Sequence, residues 1–231
     1  MQHTVTAYDE ELNQLRTTVA EMGGLAEQQL AAAVNALQSR DPDQARDIIA
    51  ADRKIDEYEV KVDEHVVQLI ARRGPVADDL REIIAGLKIA AMLERIGDVA
   101  KNIAKRVSVI VREDPIKPAG SIPQMADEAR KMVNTVLDAY VERDSEKAMA
   151  VWLADERVDA LYNSIFREML TYMMESPKTI TAATHLLFIA KNIERVGDQA
   201  TNIAEVIYFA IEGEVLEDKR PKADTTAFTS V

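Results

Sequence analysis

The sequence predicts an all-α protein made of two tandem three-helix bundle repeats. First, glycine and proline are scarce, 8 and 7 in 231 residues, and most stand where long periodic segments end. Second, apolar residues in these segments recur in alternating steps of four and three, the spacing of antiparallel helix bundles. Third, a long motif is repeated almost unchanged 100 positions later. A hydrophobic fraction of 47% can fill the core of such bundles.

Six helices are predicted between the breaks in periodicity. They cover residues 8–39, 43–72, 77–111, 122–142, 145–175 and 178–211. The proline-rich segment 113–123 separates the third helix from the fourth. We therefore expect one repeat over residues 1–114, a second over 115–212, and a polar, flexible tail over 213–231.

The internal repeat is seen best in the third and sixth helices. Leu93–Ala104 (LERIGDVAKNIA) and Ile193–Ala204 (IERVGDQATNIA) are identical at eight of twelve positions. A second match, offset by 103 positions, aligns Arg40 with Arg143 and Asp52 with Asp155. The two halves therefore have the same three-helix plan.

Acidic residues interrupt the apolar seam of the second and fifth helices. Asp52 and Glu59 stand at seam positions, and Asp155 repeats the first of them. Asp56 and Asp159 follow the two aspartates at i+4. Neither Asp52 nor Asp155 has a lysine or arginine three or four residues away in its own helix, so no cation is expected within local reach.

The third and sixth helices carry matching acid pairs beside their seams. Glu94 and Asp98 are spaced i, i+4, as are Glu194 and Asp198. Like charges at this spacing repel by roughly 0.2–0.5 kcal/mol when exposed, and desolvation of an unpaired carboxylate costs much more. Repetition of the pattern in both halves therefore points to a bound positive charge.

The acids of the second and third helices together are called the first acid row, and those of the fifth and sixth helices the second. Small and neutral residues lie beside both acid rows. Gly97 and Gly197 leave room for an ion or for a close neighbouring helix, and Asn102 and Asn202 each add a neutral oxygen one turn further on. The candidate ligands are Asp52, Asp56, Glu94 and Asp98 in the first repeat and Asp155, Asp159, Glu194 and Asp198 in the second, extended by Glu59, Asn102 and Asn202. Oxygen donors suit Mg, Mn, Fe or Zn, and several carboxylates per site indicate two or more ions.

Other classes of function fit the composition less well. A net charge of −12 opposes nucleic-acid binding, and the absence of cysteine excludes thiolate chemistry. Neither a leader sequence nor a membrane span is evident, so we expect a cytoplasmic protein. A ferritin-like di-metal oxidase would need Glu-x-x-His, whereas the residues three before His65 and His185 are Val62 and Ala182. A helical scaffold whose acids only solvate one face remains an alternative.

The doubled ERxGDxAxNIA segment, with DRKID and DERVD on the preceding helices, resembles the PhoU family of phosphate-uptake regulators. The resemblance extends over nearly the whole chain, including EMGGLAEQQLAAAVNAL at Glu21–Leu37. It implies a cytoplasmic, commonly dimeric negative regulator that is not an enzyme. The implied partners are the ATPase subunit of the phosphate ABC transporter and a sensor histidine kinase of the phosphate-starvation response. The resemblance also implies metal clusters on the eight carboxylates. Tyr162 stands where the repeat would place a second Glu59, so the two clusters are expected to differ in nuclearity or affinity.

Overall fold

The fold is all-α, as predicted, in a computed structural model that describes residues 2–116 and 121–216. Within those ranges there is no strand, and one 3-10 turn, Pro177–Thr179, precedes the last helix. The helices are α1 Gln2–Ser39, α2 Pro42–Ala51, α3 Arg53–Arg73, α4 Ala77–Ile110, α5 Ser121–Glu142, α6 Ser145–Glu175 and α7 Ile180–Glu212.

Most predicted helix boundaries lie within two residues of the observed ones, and two differences are larger. α1 begins at Gln2, six residues earlier than residue 8. The predicted second helix is divided into α2 and α3 at Asp52, whose backbone nevertheless keeps helical angles, φ −54° and ψ −38°. The Asp52 carbonyl still accepts hydrogen bonds from the amides of Ile55 at 2.9 Å and Asp56 at 3.4 Å. The six-helix plan therefore holds, with a local irregularity at a candidate ligand.

The Arg-Asp pairs common to both repeats form helix junctions. Arg40 and Arg143 both have φ 55°, the left-handed conformation that ends a helix. The Asp41 side chain then accepts from the amides of Asp43 and Gln44, and the Asp144 side chain accepts from the amide of Lys147. The second match between the repeats thus corresponds to a turn and an N-cap that both repeats contain.

Each repeat is a three-helix bundle, and the two bundles share a core. α1 packs against α2, α3 and α4, while α5, α6 and α7 pack against one another. The bundles meet mainly where α4 lies against α7, with α1 against α5 behind them. α4 and α7 run antiparallel, because Arg81 near the start of α4 reaches the Ala210 carbonyl near the end of α7. The buried apolar side chains form one continuous cluster through both bundles.

The remaining expectations concern membrane spans, the division between the repeats and the tail. None of the described helices has the apolar run needed to cross a bilayer. The division of the chain at 114 and 115 stays a prediction, and residues 217–231 of the expected tail lie outside the described residues.

Candidate functional site

Both acid rows lie where two long helices approach closely, α3 with α4 and α6 with α7. A Cβ atom on Gly97 would lie 2.7 Å from Ile55 Cδ1 and 3.6 Å from Asp52 Oδ1. A Cβ atom on Gly197 would lie 3.4 Å from Asp155 Oδ1. The glycines therefore allow a neighbouring helix to bring its buried aspartate against the row of acids.

Asp52, the buried acid of the first repeat, is paired with a lysine from α4. Only 3% of Asp52 is exposed, and its Oδ2 contacts the Lys101 ammonium group. Gln29 Nε2 donates to Asp52 Oδ1 at 3.4 Å and to the Ile48 carbonyl at 3.1 Å. Lys101 Nζ also lies 3.4 Å from Asp98 Oδ1, so one ammonium group bridges α3 and α4.

This ion pair corrects the interpretation of the sequence. The expectation that no cation lies within reach of Asp52 considered its own helix only, and the cation comes from α4. Lys101 stands three residues after Asp98, a spacing at which helical side chains meet, so part of the interaction was readable in the sequence. Its contact with Asp52 depends on packing between helices, which the sequence pattern does not contain.

The remaining acids of the first repeat form a crowded cluster nearer the surface. The pKa of Glu94 is raised from 4.5 to about 7, first by burial and then by the negative charges of Asp98, Glu59 and Asp56. The pKa of Glu59 is also raised, first by burial and then by Asp63 and Asp56. These carboxylates therefore share a region of negative potential that would attract a cation.

The second repeat buries more of its acids. Asp155, Asp159 and Glu194 are each less than 7% exposed, whereas Asp56 in the first repeat is exposed. Thr201 stands at the repeat position of Lys101, and its hydroxyl lies 3.4 Å from Asp155 Oδ1 and donates to the Gly197 carbonyl at 2.9 Å. A neutral hydroxyl thus contacts the buried aspartate where the first repeat has an ammonium group.

A lysine also enters the second acid row, from a different position. Lys191 Nζ donates to Glu194 Oε1 at 2.9 Å and lies 4.9 Å from the centre of the Tyr162 ring. Burial raises the pKa of Glu194, while the hydrogen bond from Lys191 opposes that rise. Within the part of the chain that the structure describes, the other oxygen, Glu194 Oε2, is buried without a hydrogen-bond partner.

The residues present fit an oxygen-ligated cation in chemistry, but their arrangement is not a ready coordination sphere. The buried Glu194 Oε2 is a free acceptor, and carboxylates dominate both rows. Among the side chains that the structure describes, those of residues 7–116 and 121–216, however, no three His, Asp or Glu groups are placed to hold one ion. Asn102 is exposed and Asn202 half-buried, so neither stands out as a ligand in this arrangement.

Most of the candidate ligands lie near other acids of the same repeat. In the first repeat Asp52 and Asp98 share Lys101, and Glu94 lies near Asp56 and Glu59. In the second repeat Asp159 and Asp198 lie close enough to Glu194 to raise its pKa. Gln29, Lys101, Lys191 and Thr201 were not among the residues singled out from the sequence.

The PhoU domain model matches this chain twice, over residues 19–107 and 122–207. This chain belongs to the PhoU family. It is 48% identical to the phosphate-specific transport system accessory protein PhoU homolog of Caulobacter vibrioides over 96% of this chain and 97% of that protein. A homolog of the same name from Rhizobium meliloti is also 48% identical, over 97% of this chain and 95% of the other.

A crystal structure of PhoU from Pseudomonas aeruginosa has the same fold. It superposes with a TM-score of 0.85 at 36% identity and covers 90% of this chain and 100% of the other. All candidate ligands fall inside the two PhoU segments, from Asp52 to Asn102 in the first and from Asp155 to Asn202 in the second. Both acid rows are therefore part of the duplicated PhoU domain and not of its connections.

Proposed function

We propose that this chain is a metal-binding accessory regulator of phosphate-specific transport. The observation that carries this proposal is the double match to the PhoU domain, together with relatives named as accessory proteins of the phosphate-specific transport system. In this proposal the protein restrains phosphate uptake and starvation signalling when phosphate is plentiful. It does so through the transporter's ATPase subunit and a phosphate-sensing histidine kinase.

The proposed metal ligands are the acids of the two rows. They are Asp52, Asp56, Glu94 and Asp98 in the first repeat and Asp155, Asp159, Glu194 and Asp198 in the second. Three features support metal binding: the burial of four of these acids, the free oxygen of Glu194, and the raised pKa of Glu94. Bound Mg, Mn, Fe or Zn would supply positive charge between neighbouring helices, and the carboxylates would hold α3 to α4 and α6 to α7.

The mode of action in this proposal is binding and not catalysis. Metal occupancy would fix the spacing of two helices in each bundle, and a partner would respond to that spacing. We place the protein in the cytoplasm as a homodimer, on the basis of the family resemblance. Its net charge of −12 favours basic docking segments on the partners.

A specific observation favours a second candidate, a helical scaffold that works without metal. Lys101 and Lys191 already neutralise part of each acid row. If these ion pairs satisfy the acids permanently, the rows are structural, and partners would bind elsewhere on the bundle surface. Chelator treatment separates the two candidates, because only a metal protein should lose bound ions and stability together.

Complementation of a strain that lacks its own PhoU tests the regulatory role. The wild-type chain should restore low phosphate uptake and low phosphatase-reporter activity in phosphate-rich medium, and Glu94→Ala/Asp98→Ala/Glu194→Ala/Asp198→Ala should not. The exposed-acid variant Asp43→Asn/Asp127→Asn is the matched control and should behave as wild type. Failure of the wild-type chain to lower either readout, with normal expression, would contradict the proposal, and co-purification with the transporter ATPase would test the partner directly.

A further inference from the structure

Each acid row contains one lysine, and the two lysines come from positions that the repeats do not share. Lys101 corresponds to Thr201, 100 positions later, and Lys191 corresponds to Ala91. Eight carboxylates occupy matching positions in the two halves, whereas the lysine beside them comes from a different position in each half. Each row thus has a lysine paired with one of its acids, although the two lysines do not correspond to each other in the repeat.

Lys101 lies where an interhelical cation would be needed. Its ammonium group contacts Asp52 on one side and lies 3.4 Å from Asp98 Oδ1 on the other, bridging two helices that carry proposed ligands. The side chain is 28% exposed, so its four-carbon stem reaches solvent beside the row. Rotation of that stem would move the ammonium group into water without unfolding either helix.

Lys191 has the same relation to the second row. It donates to Glu194 Oε1 at 2.9 Å, and the Tyr162 ring, 4.9 Å away, lies beneath the ammonium group. Its side chain is 36% exposed. Tyr162 stands at the repeat position of Glu59, and Lys191 stands at that of Ala91, so this pair of ring and cation belongs to the second repeat.

We propose that Lys101 and Lys191 are internal counter-ions that stabilise the acid rows of the metal-free protein, and that metal ions bind by displacing them. This inference rests on the proposed metal binding. A divalent ion and an ammonium group cannot both lie between the same carboxylates, because they repel at such distances and compete for the same oxygens. Metal uptake would thus turn two lysine ammonium groups outward and change the charge pattern beside each row.

Displacement can be observed directly in the wild-type protein. Amine acetylation followed by peptide mass spectrometry, with and without Mn²⁺, measures the reactivity of each lysine. Lys101 and Lys191 should be protected in chelator-treated protein and should react several-fold faster with Mn²⁺ present, as their ion pairs are lost. Lys105 lies on the same helix and is exposed, so its reactivity should not change.

Substitution by the residue of the other repeat supplies the second arm. Lys101→Thr and Lys191→Ala should each tighten Mn²⁺ binding roughly tenfold, equal to 1.4 kcal/mol of competing ion-pair energy. Lys105→Thr should leave it unchanged. Free Mn²⁺ is counted by electron paramagnetic resonance during equilibrium dialysis.

The possible results separate this inference from the proposed function. If the wild-type protein binds neither Mn²⁺ nor any of the other proposed ions, Mg, Fe and Zn, metal binding fails and the displacement mechanism fails with it. If it binds Mn²⁺ while both lysines stay protected and both variants keep wild-type affinity, metal binding stands and displacement is wrong. Increased reactivity at Lys101 and Lys191 alone supports displacement even if a variant is too unstable to titrate.

Discussion

The two repeats place matching carboxylates on matching helices but surround them differently. In the first repeat one aspartate is buried against Lys101, and Glu94 lies in a surface cluster with a pKa of about 7. In the second repeat Asp155, Asp159 and Glu194 are all buried, and Thr201 and Lys191 contact the row. The matching acids of the two repeats therefore have different charged neighbours, so the two proposed metal sites should bind cations with unequal affinity.

The repeats also differ at the turn that they share. Arg40 donates to the carbonyls of Ile110, Val111 and Glu113, and so closes the end of its own bundle. Arg143, at the equivalent position, reaches Glu82 of the other bundle at 2.6 Å. The same Arg-Asp turn therefore has two roles. Arg40 makes contacts within its own repeat, whereas Arg143 links the two repeats.

The largest effect is expected from removal of this link between repeats. Glu82 is buried, contacts Arg16 at 2.5 Å and Arg143 at 2.6 Å, and corresponds to Ala182 in the second repeat. Glu82→Gln should lower the free energy of unfolding by roughly 2–4 kcal/mol, because the partly buried Arg16 loses its counter-charge and the ion pair with the exposed Arg143 is lost as well. Urea denaturation measures the change, and Glu142→Gln, which alters a surface pair, is the control. A Glu82→Gln protein as stable as the control would show that the link does not contribute.

The next effect concerns the buried pair Asp52–Lys101 of the first repeat. In metal-free protein, Asp52→Asn and Lys101→Thr should each cost roughly 1–3 kcal/mol, because each removes one partner of a charge-assisted hydrogen bond. The double variant should cost clearly less than the sum, with a coupling energy of about 1 kcal/mol or more. Additive costs in a double-mutant cycle would mean that the two side chains do not interact.

A smaller effect is expected from pH. The folded pKa of Glu94 is raised from 4.5 to about 7, so its stabilising contribution is present below pH 4.5 and is lost as pH rises through about 7. Glu94→Gln should therefore differ least from wild type at the acidic end of the range, near pH 5, and exceed it in stability by about 1 kcal/mol at pH 8 in metal-free protein, after allowance for solvent screening.

The corresponding variant of the second repeat sharpens this test. Glu194→Gln should gain less at pH 8, because Lys191 stabilises the charged form of Glu194. Thermal unfolding at several pH values between 5 and 8 gives both differences. Equal gains in the two repeats would contradict the assigned role of Lys191.

The smallest effect distinguishes the two glycines. Replacement of a helical glycine by alanine gains up to about 1 kcal/mol in helix propensity. Gly197→Ala should keep most of this gain, since its nearest neighbour would lie at 3.4 Å, whereas Gly97→Ala must displace Ile55 Cδ1 from 2.7 Å and should lose it. Equal melting temperatures for the two variants would contradict the expected steric difference between the two helix contacts.

The comparison also shows what the sequence could and could not provide. Helices and repeats were predictable because apolar spacing and the recurrent LERIGD and IERVGD segments are local properties of the chain. The interruption at Asp52 was not predictable from that spacing. The pairing of Asp52 with Lys101 and the approach of Lys191 to Tyr162 depend on how helices face each other. The i, i+3 spacing of Lys101 from Asp98 and of Lys191 from Glu194, in contrast, is a local feature of the sequence that indicates these two ion pairs.

Metal content tests the central claim most directly. Plasma mass spectrometry of gently purified wild-type protein should find more than one equivalent of metal. Glu94→Ala/Asp98→Ala and Glu194→Ala/Asp198→Ala should each lose part of it, in unequal amounts if the two environments differ in affinity as proposed. A wild-type protein that carries no metal, even after reconstitution with Fe, Zn, Mn or Mg, would contradict the account and leave the acid rows as lysine-neutralised structural faces.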